Sequence, residues 1–381
     1  MREDLRQDEY ELLARLAQRY YVEERTQEQI AREFALSRPK VQRLLERARR
    51  DGVVAIHVQA PPWLRLELET ELRDTFGLTG AIVCSARGDP QAERDAVAHR
   101  AAEYLERRLS DGCVVAVSHG RTAGAVPRFF RPHRRLDVTF VSAMGGSPSV
   151  DAPTNPDEIC RALAAACGGQ TVSLYAPAYV ESAEVRDQLL AQDAVAHTLG
   201  RAAQATLALV GIGGTDDGCT MVRSGCLTTD QIAWLRAQGA VGDVLGNYVD
   251  IAGRPVISPH QDRLVALSVD SLRRIGTVLG VASEPEKPRA ILGILRAGVI
   301  DVLVVDEANA RAVLEAARTA PAGQPAVSRD QSRRRAGMRE KEVVESGRSG
   351  DKRPRRPIGA GAGTALGRRA GGSHSASQRK V

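Results

Sequence analysis

No run of about 18 apolar residues occurs in the 381-residue chain, so a membrane-spanning helix is not expected. The opening stretch, MREDLRQDEYELL, is charged and lacks the apolar segment of a secretory signal, which leads to the expectation of a cytoplasmic protein. The six cysteines (Cys84, Cys113, Cys160, Cys167, Cys219 and Cys226) show no Cys-x-x-Cys or Cys-x-x-Cys-His spacing. That removes the common zinc and haem signatures and favours buried free thiols in a reducing compartment. Neither a metal nor a cofactor is expected. Lysine is scarce too: the chain holds five, and arginine supplies nearly all its other cations.

The net charge of +6 is unevenly placed. Residues 321–381 carry 15 Lys/Arg and 5 Asp/Glu, a net of +10, so by difference residues 1–320 net −4. The basic balance belongs to the tail, and nucleic-acid binding by the body must be argued from local pattern. In the tail Gly, Ser, Pro, Ala and Arg dominate with almost no periodic apolar face. Such a segment buries too little surface to offset its ordering entropy, and disorder is expected there. Length and 43% hydrophobic residues suit two or three domains with at least one substantial core.

The first sixty residues read as three helices. Apolar residues recur at helical spacing from Tyr10 through Leu12, Leu13, Leu16 and Ala17 to Val22. Thr26, with Gln29 three residues on, forms a capping-box pattern for a short second helix over 27–34 whose apolar face is Ile30, Ala31 and Phe34. Ser37 can cap a third helix, Pro39 is tolerated in its first turn, and Gly52 is a natural stop. Ala31 is small where two helices must approach, Leu36 can plug the turn, and Val41 and Leu44 can seat the third helix. That helix carries six basic residues against Glu46 alone. Arg can pair with guanine and Gln with adenine in the major groove, while later arginines suit phosphates. Thr26, Gln27, Ser37, Arg38, Lys40, Gln42, Arg43 and Arg47 are the candidate DNA contacts. Residues 53–58 suggest a strand that could belong to a wing. Ala35 stands where such turns commonly hold glycine, at an expected cost on the order of 1 kcal/mol.

Pro61-Pro62 marks a boundary, and 64–76 reads as a linker helix. Beyond it, strand-like runs at 81–84, 113–117, 138–142, 171–174, 207–212, 264–268, 278–281 and 302–305 alternate with helical stretches near 91–109, 157–167, 183–191, 229–238 and 287–297. The pattern predicts a Rossmann-like α/β domain with a mostly parallel sheet, whose ligand loops lie at the carboxyl ends of strands. Polar and glycine residues collect in such loops: Ser118-His119-Gly120-Arg121-Thr122, Met144-Gly145-Gly146 with Asn155 following, Gly211-Ile212-Gly213-Gly214, Arg223-Ser224-Gly225 and Gly242-Asp243. Backbone N–H groups, the Thr122 hydroxyl and Arg121 could cradle a phosphate. Lys287, the single lysine between residues 61 and 320, is a candidate point-charge donor.

With these residues assembled, the chain resembles the SorC family of sugar-responsive transcriptional regulators over roughly residues 8–318. The resemblance rests on Tyr20-Tyr21-Val22-Glu23-Glu24 and Thr26-Gln27-Glu28-Gln29-Ile30-Ala31, on Ser37 through Leu45, and on His119-Gly120-Arg121-Thr122. Val210-Gly211-Ile212-Gly213, Gly242-Asp243-Val244-Leu245-Gly246 and Asp301 through Asp306 complete it. It implies an effector domain similar in fold to ribose-phosphate isomerase and glucosamine-phosphate deaminase, a sugar or sugar-phosphate effector, double-stranded operator DNA as partner, and a homodimer or homotetramer. By the same resemblance Gly120, Arg121 and Thr122 would hold phosphate, and Gly146 and Asn155 would line the pocket. Arg223, Ser224, Asp243 and Lys287 would meet sugar hydroxyls or a second phosphate. Two departures stand out: Ala35 in the turn, and Ser118-His119 where an aromatic residue commonly precedes the glycine.

The resulting division is a winged helix-turn-helix over 1–60, a linker helix over 61–77, an effector domain over 78–320 and a disordered basic tail over 321–381. In this reading effector binding shifts how paired helix-turn-helix units hold operator half-sites, without catalysis. Two rivals remain at this level. One is a sugar-phosphate isomerase or deaminase with a DNA-binding appendage, for which Asp216, Asp217 and Asp243 are the available carboxylates. The other makes the tail arginines the principal nucleic-acid contact, which would give a steep salt dependence.

Overall fold

The computed structural model describes residues 7–55, 64–85, 88–148 and 154–319. The expected wing strand falls largely outside these residues, as do the Pro61-Pro62 boundary and the basic tail; residues 53–55 themselves carry no strand.

The helix Gln7–Ala17 runs on through a π-helical turn, Gln18–Val22, and is followed by helices Gln27–Glu33 and Arg38–Arg50. Thr26 closes the capping box: its hydroxyl accepts from the Gln29 N–H (3.3 Å) while the Gln29 side chain accepts from the Thr26 N–H (3.0 Å). Leu16, Ile30, Ala31, Val41 and Leu45 form the buried centre of this three-helix unit, with Phe34, Leu36 and Leu44 packed partly buried around it. Leu45 rather than Leu44 is therefore the deep anchor beside Val41, because the helix turns Leu44 toward the rim. Ser37 has the backbone of a cap, but its hydroxyl makes no capping bond.

The tight turn is closed by the Leu36 N–H on the Ala31 carbonyl (2.9 Å), and it forces Ala35 to φ 52°. An L-residue loses about 1–2 kcal/mol there, while glycine returns about 0.4–1 kcal/mol through the unfolded chain's freedom. Ala35→Gly is accordingly expected to stabilise the three-helix unit by about 0.5–1 kcal/mol, read as a higher unfolding midpoint in denaturant. An unchanged or lower midpoint would show that the turn is not strained.

Among the described residues the body is built on ten strands: β1 (Gly80–Cys84), β2 (Val114–Val117), β3 (Thr139–Ser142), β4 (Gln170–Val172), β5 (Leu207–Gly211), β6 (Gly213–Gly214), β7 (Ala240–Val244), β8 (Asn247–Asp250), β9 (Thr277–Ala282) and β10 (Val302–Asp306). Seven form an all-parallel sheet in the order β1-β10-β9-β5-β2-β3-β4. Its central strands are apolar on both faces, as a sheet covered on both sides requires. Val115, Val117, Leu207, Leu209, Leu279, Val281, Val302 and Val304 join one core layer with helices Pro90–Arg108 and Pro156–Cys167. The alternate residues Ala116, Ala208, Val210, Val278, Leu303 and Val305 join the other, with helices Leu66–Phe76, Pro288–Arg296 and Glu307–Thr319.

Seven of the eight strand-like runs are strands. The eighth, 264–268, is instead extended chain with isolated bridges from Leu264 to Tyr179 and from Ala266 to Met144. Its backbone bonds go to loop residues: the Val265 N–H reaches the Ala178 carbonyl and the Leu267 N–H the Ala143 carbonyl, both at 2.9 Å. Gly242-Asp243, expected as a loop, lies in β7, the centre of an antiparallel sheet β6-β7-β8. The β7–β8 hairpin turns on Leu245 and Gly246, both at positive φ (54° and 74°). That geometry belongs to a two-residue type I′ turn, for which Asn-Gly is the usual sequence signal; leucine in first place hid it. The helix Asp193–Ala203 was also not anticipated, because it follows the helix Ala183–Leu190 after only two residues.

Candidate functional site

The parallel sheet has one point where its connections diverge. From β2 the chain proceeds to β3 and β4 on one side, and from β5 it proceeds to β9 and β10 on the other. In open α/β sheets, loops leaving the carboxyl ends of such neighbouring strands separate and leave a crevice for ligand. Here the crevice lies between the loops after β2 and β5 and is lined by His119, Gly120, Arg121, Thr122, Gly211, Ile212, Gly213, Thr220, Met221, Asp243, Leu245 and Lys287. The sheet thus brings together Gly120, Arg121, Thr122, Asp243 and Lys287, five residues singled out from sequence.

The two loops are stitched by Ser118, which accepts from the Gly211 N–H (2.8 Å) and donates to the His119 carbonyl (3.0 Å). The Gly120 N–H is already used by the Thr154 carbonyl (3.1 Å), and the Thr122 hydroxyl lies 3.0 Å from that of Ser283. The helix that follows spans only Arg121–Ala125, so charge recognition here falls to side chains rather than to a helix end. β6 pairs Gly213 with Asp243, and a Cβ on Gly213 would fall 1.9 Å from Asp243 Oδ1; only glycine leaves room for that carboxylate.

Asp243 is 3% exposed. One oxygen, Oδ2, accepts from the Gly246 N–H (2.9 Å), while Oδ1 is buried without a partner. Burial pushes its carboxyl up to about 6, against the Gly246 hydrogen bond and the Lys287 charge, which act to lower it. His119 Nε2 is also buried and unpartnered, and desolvation lowers that imidazole to about 4, so it is neutral at pH 7. Arg121 Nε is a third buried atom without a hydrogen bond.

Lys287 is the N-cap residue of helix Pro288–Arg296 and is not a free cation: its ammonium lies 2.6 Å from Glu284 Oε2. Glu284 also receives Arg94 (3.1 Å) and Arg121 (3.7 Å). Neither Glu284 nor Arg94 was singled out from sequence. The Arg94 contact spans 190 residues, and no local pattern announces it.

Other candidates lie elsewhere. Gly146 and Asn155 are neighbours, with a Cβ on Gly146 placed 3.2 Å from Asn155 Nδ2, but neither lines the crevice. Asn155 instead caps helix Pro156–Cys167 by accepting from the Asp157 N–H (3.3 Å). Gly146 lines a second hollow with Tyr179 and Gly225. Arg223 is exposed, and the Ser224 hydroxyl turns back onto the Met221 carbonyl (3.3 Å). Asp217 pairs with Arg236 (2.9 Å) and Asp216 with the Gly218 N–H (3.0 Å), leaving Asp243 as the carboxylate that lines the crevice.

In the three-helix unit, Arg38, Lys40, Gln42 and Arg43 are exposed on the third helix, which buries Val41 and Leu45. Arg38 and Lys40 have no ion-pair partner among the described residues, whereas Gln42 reaches Glu46 (3.0 Å). Arg47 differs, bridging Asp51 (3.0 Å) and Glu9 (3.4 Å) and so tying the third helix to the first. Thr26 and Gln27 sit at the start of the second helix, with the Thr26 hydroxyl engaged in its cap. No helix among the described residues is long and apolar enough to cross a membrane.

A three-helix DNA-reading unit joined in one chain to a doubly wound α/β fold with a polar crevice at its switch point defines a ligand-responsive transcriptional regulator. The chain belongs to the SorC family of sugar-binding transcriptional regulators, and residues 61–315 match the family described as "Putative sugar-binding domain". It is 33% identical over 313 residues to the transcriptional regulator LsrR of Klebsiella pneumoniae, covering 80% of this chain and 93% of that protein. To the erythritol catabolism regulatory protein EryD of Brucella abortus it is 28% identical over 305 residues, covering 80% and 96%. The crystal structure of the full-length sorbitol operon regulator SorC from Klebsiella pneumoniae superposes with a TM-score of 0.63 at 26% identity, over 81% of this chain and 99% of that one.

Proposed function

We propose that the switch-point crevice binds a small phosphorylated sugar and that its occupancy sets how firmly the helix-turn-helix holds operator DNA. The observation that carries this reading is the convergence of three buried polar atoms without a hydrogen bond, Asp243 Oδ1, His119 Nε2 and Arg121 Nε, on residues lining one crevice. Buried polar groups are normally satisfied, and three left open together call for a polar ligand. Arg121 and Lys287 supply the positive charge for a phosphate, while Asp243 and His119 suit hydroxyls. The names of relatives point the same way, to erythritol, sorbitol and deoxyribonucleosides, small polyhydroxylated molecules and their derivatives.

Asp243 and His119 could in principle serve an isomerase as base and acid. Relatives named as regulators favour binding without turnover, and a purified protein that isomerised a sugar phosphate would reverse that choice. Operator half-sites are read by paired units, so a homodimer or homotetramer is part of the proposal, with Arg38, Lys40, Gln42 and Arg43 as its base-reading face.

A thermal-shift screen of triose, pentose and hexose phosphates tests the effector. A ligand at about 100 times its Kd adds about 2.7 kcal/mol, roughly 5–10 °C for a domain of this size. Lys287→Ala is expected to lose most of that shift relative to its own unliganded midpoint. If no phosphate shifts the wild-type protein while an unphosphorylated polyol does, the effector class is wrong.

A further inference from the structure

The loop after β9 holds a residue that the effector reading does not use. Glu284 adopts φ 96°, a conformation that favours glycine, and it is 3% exposed. Its backbone is fastened from two sides: the carbonyl accepts from Asn309 Nδ2 (2.9 Å) and from the Lys287 N–H (3.3 Å). Its carboxylate sits among Lys287 (2.6 Å), Arg94 (3.1 Å) and Arg121 (3.7 Å). Burial alone would raise this carboxyl, but Lys287, then Arg121 and Arg94, outweigh it and hold the group below its usual range. Two of the three cations, Arg121 and Lys287, line the crevice itself.

Three cations around one carboxylate leave a surplus of two positive charges, reduced in part by Asp243, which also feels Lys287. A phosphate carries about −1.5 to −2 at pH 7 and offsets more of the three cationic charges than the single carboxylate it would replace. Meanwhile Arg121 Nε and Glu284 Oε2 lack well-aligned hydrogen bonds, so the cluster satisfies charge better than geometry. Planar guanidinium groups bind phosphate oxygens in a fixed fork, and Glu284 meets each arginine through Nε alone.

We propose that Glu284 is the resident counter-ion of the effector's anion subsite, holding Arg94, Arg121 and Lys287 until a phosphate replaces it, and thereby setting which anions can bind. The inference rests on the phosphorylated-sugar reading and adds to it a residue that works against binding. A dianion gains from the exchange because it offsets two of the three cationic charges where Glu284 offsets one. A sugar carboxylate merely substitutes one monoanion for another and gains little. Specificity here is a difference between two anions competing for the same cations.

The test is calorimetric titration of inorganic phosphate into the full chain at pH 7.5, for wild type, Glu284→Gln, Glu284→Gly and Lys287→Ala. Removing the competing charge is expected to tighten phosphate binding about tenfold in both Glu284 variants. Glycine additionally relieves the backbone, so that variant keeps the test available if glutamine folds poorly. Lys287→Ala should bind weakly or not at all. Equal affinity in wild type and both Glu284 variants would overturn the counter-ion role while leaving the phosphate site standing. Weaker binding in both would also overturn it, making Glu284 an anchor that orients the cations. No binding by any variant would remove the anionic effector and this inference together.

Discussion

Arg38→Ala, Lys40→Ala and Arg43→Ala combined should abolish specific operator binding while leaving the body's ligand response intact. The three side chains are exposed on a helix that buries Val41 and Leu45 in the three-helix core. Truncating them removes no packing, so a loss of binding cannot be blamed on unfolding. Each base-reading pair is worth about 1–3 kcal/mol, and together the loss reaches about a hundredfold or more. Those residues that meet phosphate rather than base should lower the salt slope by roughly one unit each and weaken all sequences alike. Anisotropy titrations over a salt series separate the two kinds. Arg47→Ala is expected to act differently: its pair with Glu9 links the third helix to the first and its pair with Asp51 holds the third helix's end, so its effect should appear in stability as well as in binding. Full operator affinity in the triple variant would move the DNA-reading role elsewhere, and loss on deleting residues 321–381 would place it in the tail.

The second large effect concerns acid. Asp243 and His119 are both buried in the crevice, and burial shifts them in opposite directions across the same window. Asp243 rises from 3.8 to about 6, with desolvation as the main cause. A raised carboxyl contributes stability that is fully present below its unfolded pKa and is lost as pH climbs through about 6. His119 falls from 6.5 to about 4, again through desolvation. Its contribution is present above its unfolded pKa and is lost as pH falls through about 4. Each shift corresponds to roughly 3 kcal/mol, so between pH 6.5 and 4 the two nearly offset. Single variants should expose them. Relative to wild type, Asp243→Asn is expected to lose stability steeply on acidification and to gain near pH 7, whereas His119→Asn should become relatively more stable toward pH 4. Urea midpoints between pH 4 and 7.5 measure both. Parallel midpoint curves for wild type and the two variants would mean that neither group titrates as its burial demands.

Lys287 shows how a residue can be singled out from sequence without its environment. Its isolation as the lone lysine of residues 61–320 singled it out, and the fold does place it on the crevice. Its partner Glu284 lies only three residues earlier yet carried no signal, because in sequence it is one acidic residue in a turn. What makes it notable is a backbone angle and two arginines from distant helices. Asp243 was likewise chosen from sequence but placed in a loop. It belongs to a short antiparallel strand whose hairpin depends on leucine at positive φ, a conformation that propensity argues against. Arg223 and Ser224 carried the right chemistry for a sugar contact but stand outside the crevice, since spacing along the chain does not say which side of a loop faces inward.

Hydrophobic periodicity and caps alone determined the three N-terminal helices, the alternation of apolar strands with helices, and therefore a parallel sheet with loops at its carboxyl ends. These are local or nearest-neighbour properties, fixed by which faces must leave water. Only the tertiary structure decided which loops meet. The strand order β9-β5-β2-β3 is a matter of long-range pairing; it brings Gly120 beside Gly211, and the β6–β7 pairing adds Asp243 to the same crevice. It also decided the charge state of the site, because pKa shifts and ion pairs arise from burial beside residues remote in sequence, a quantity no linear pattern carries.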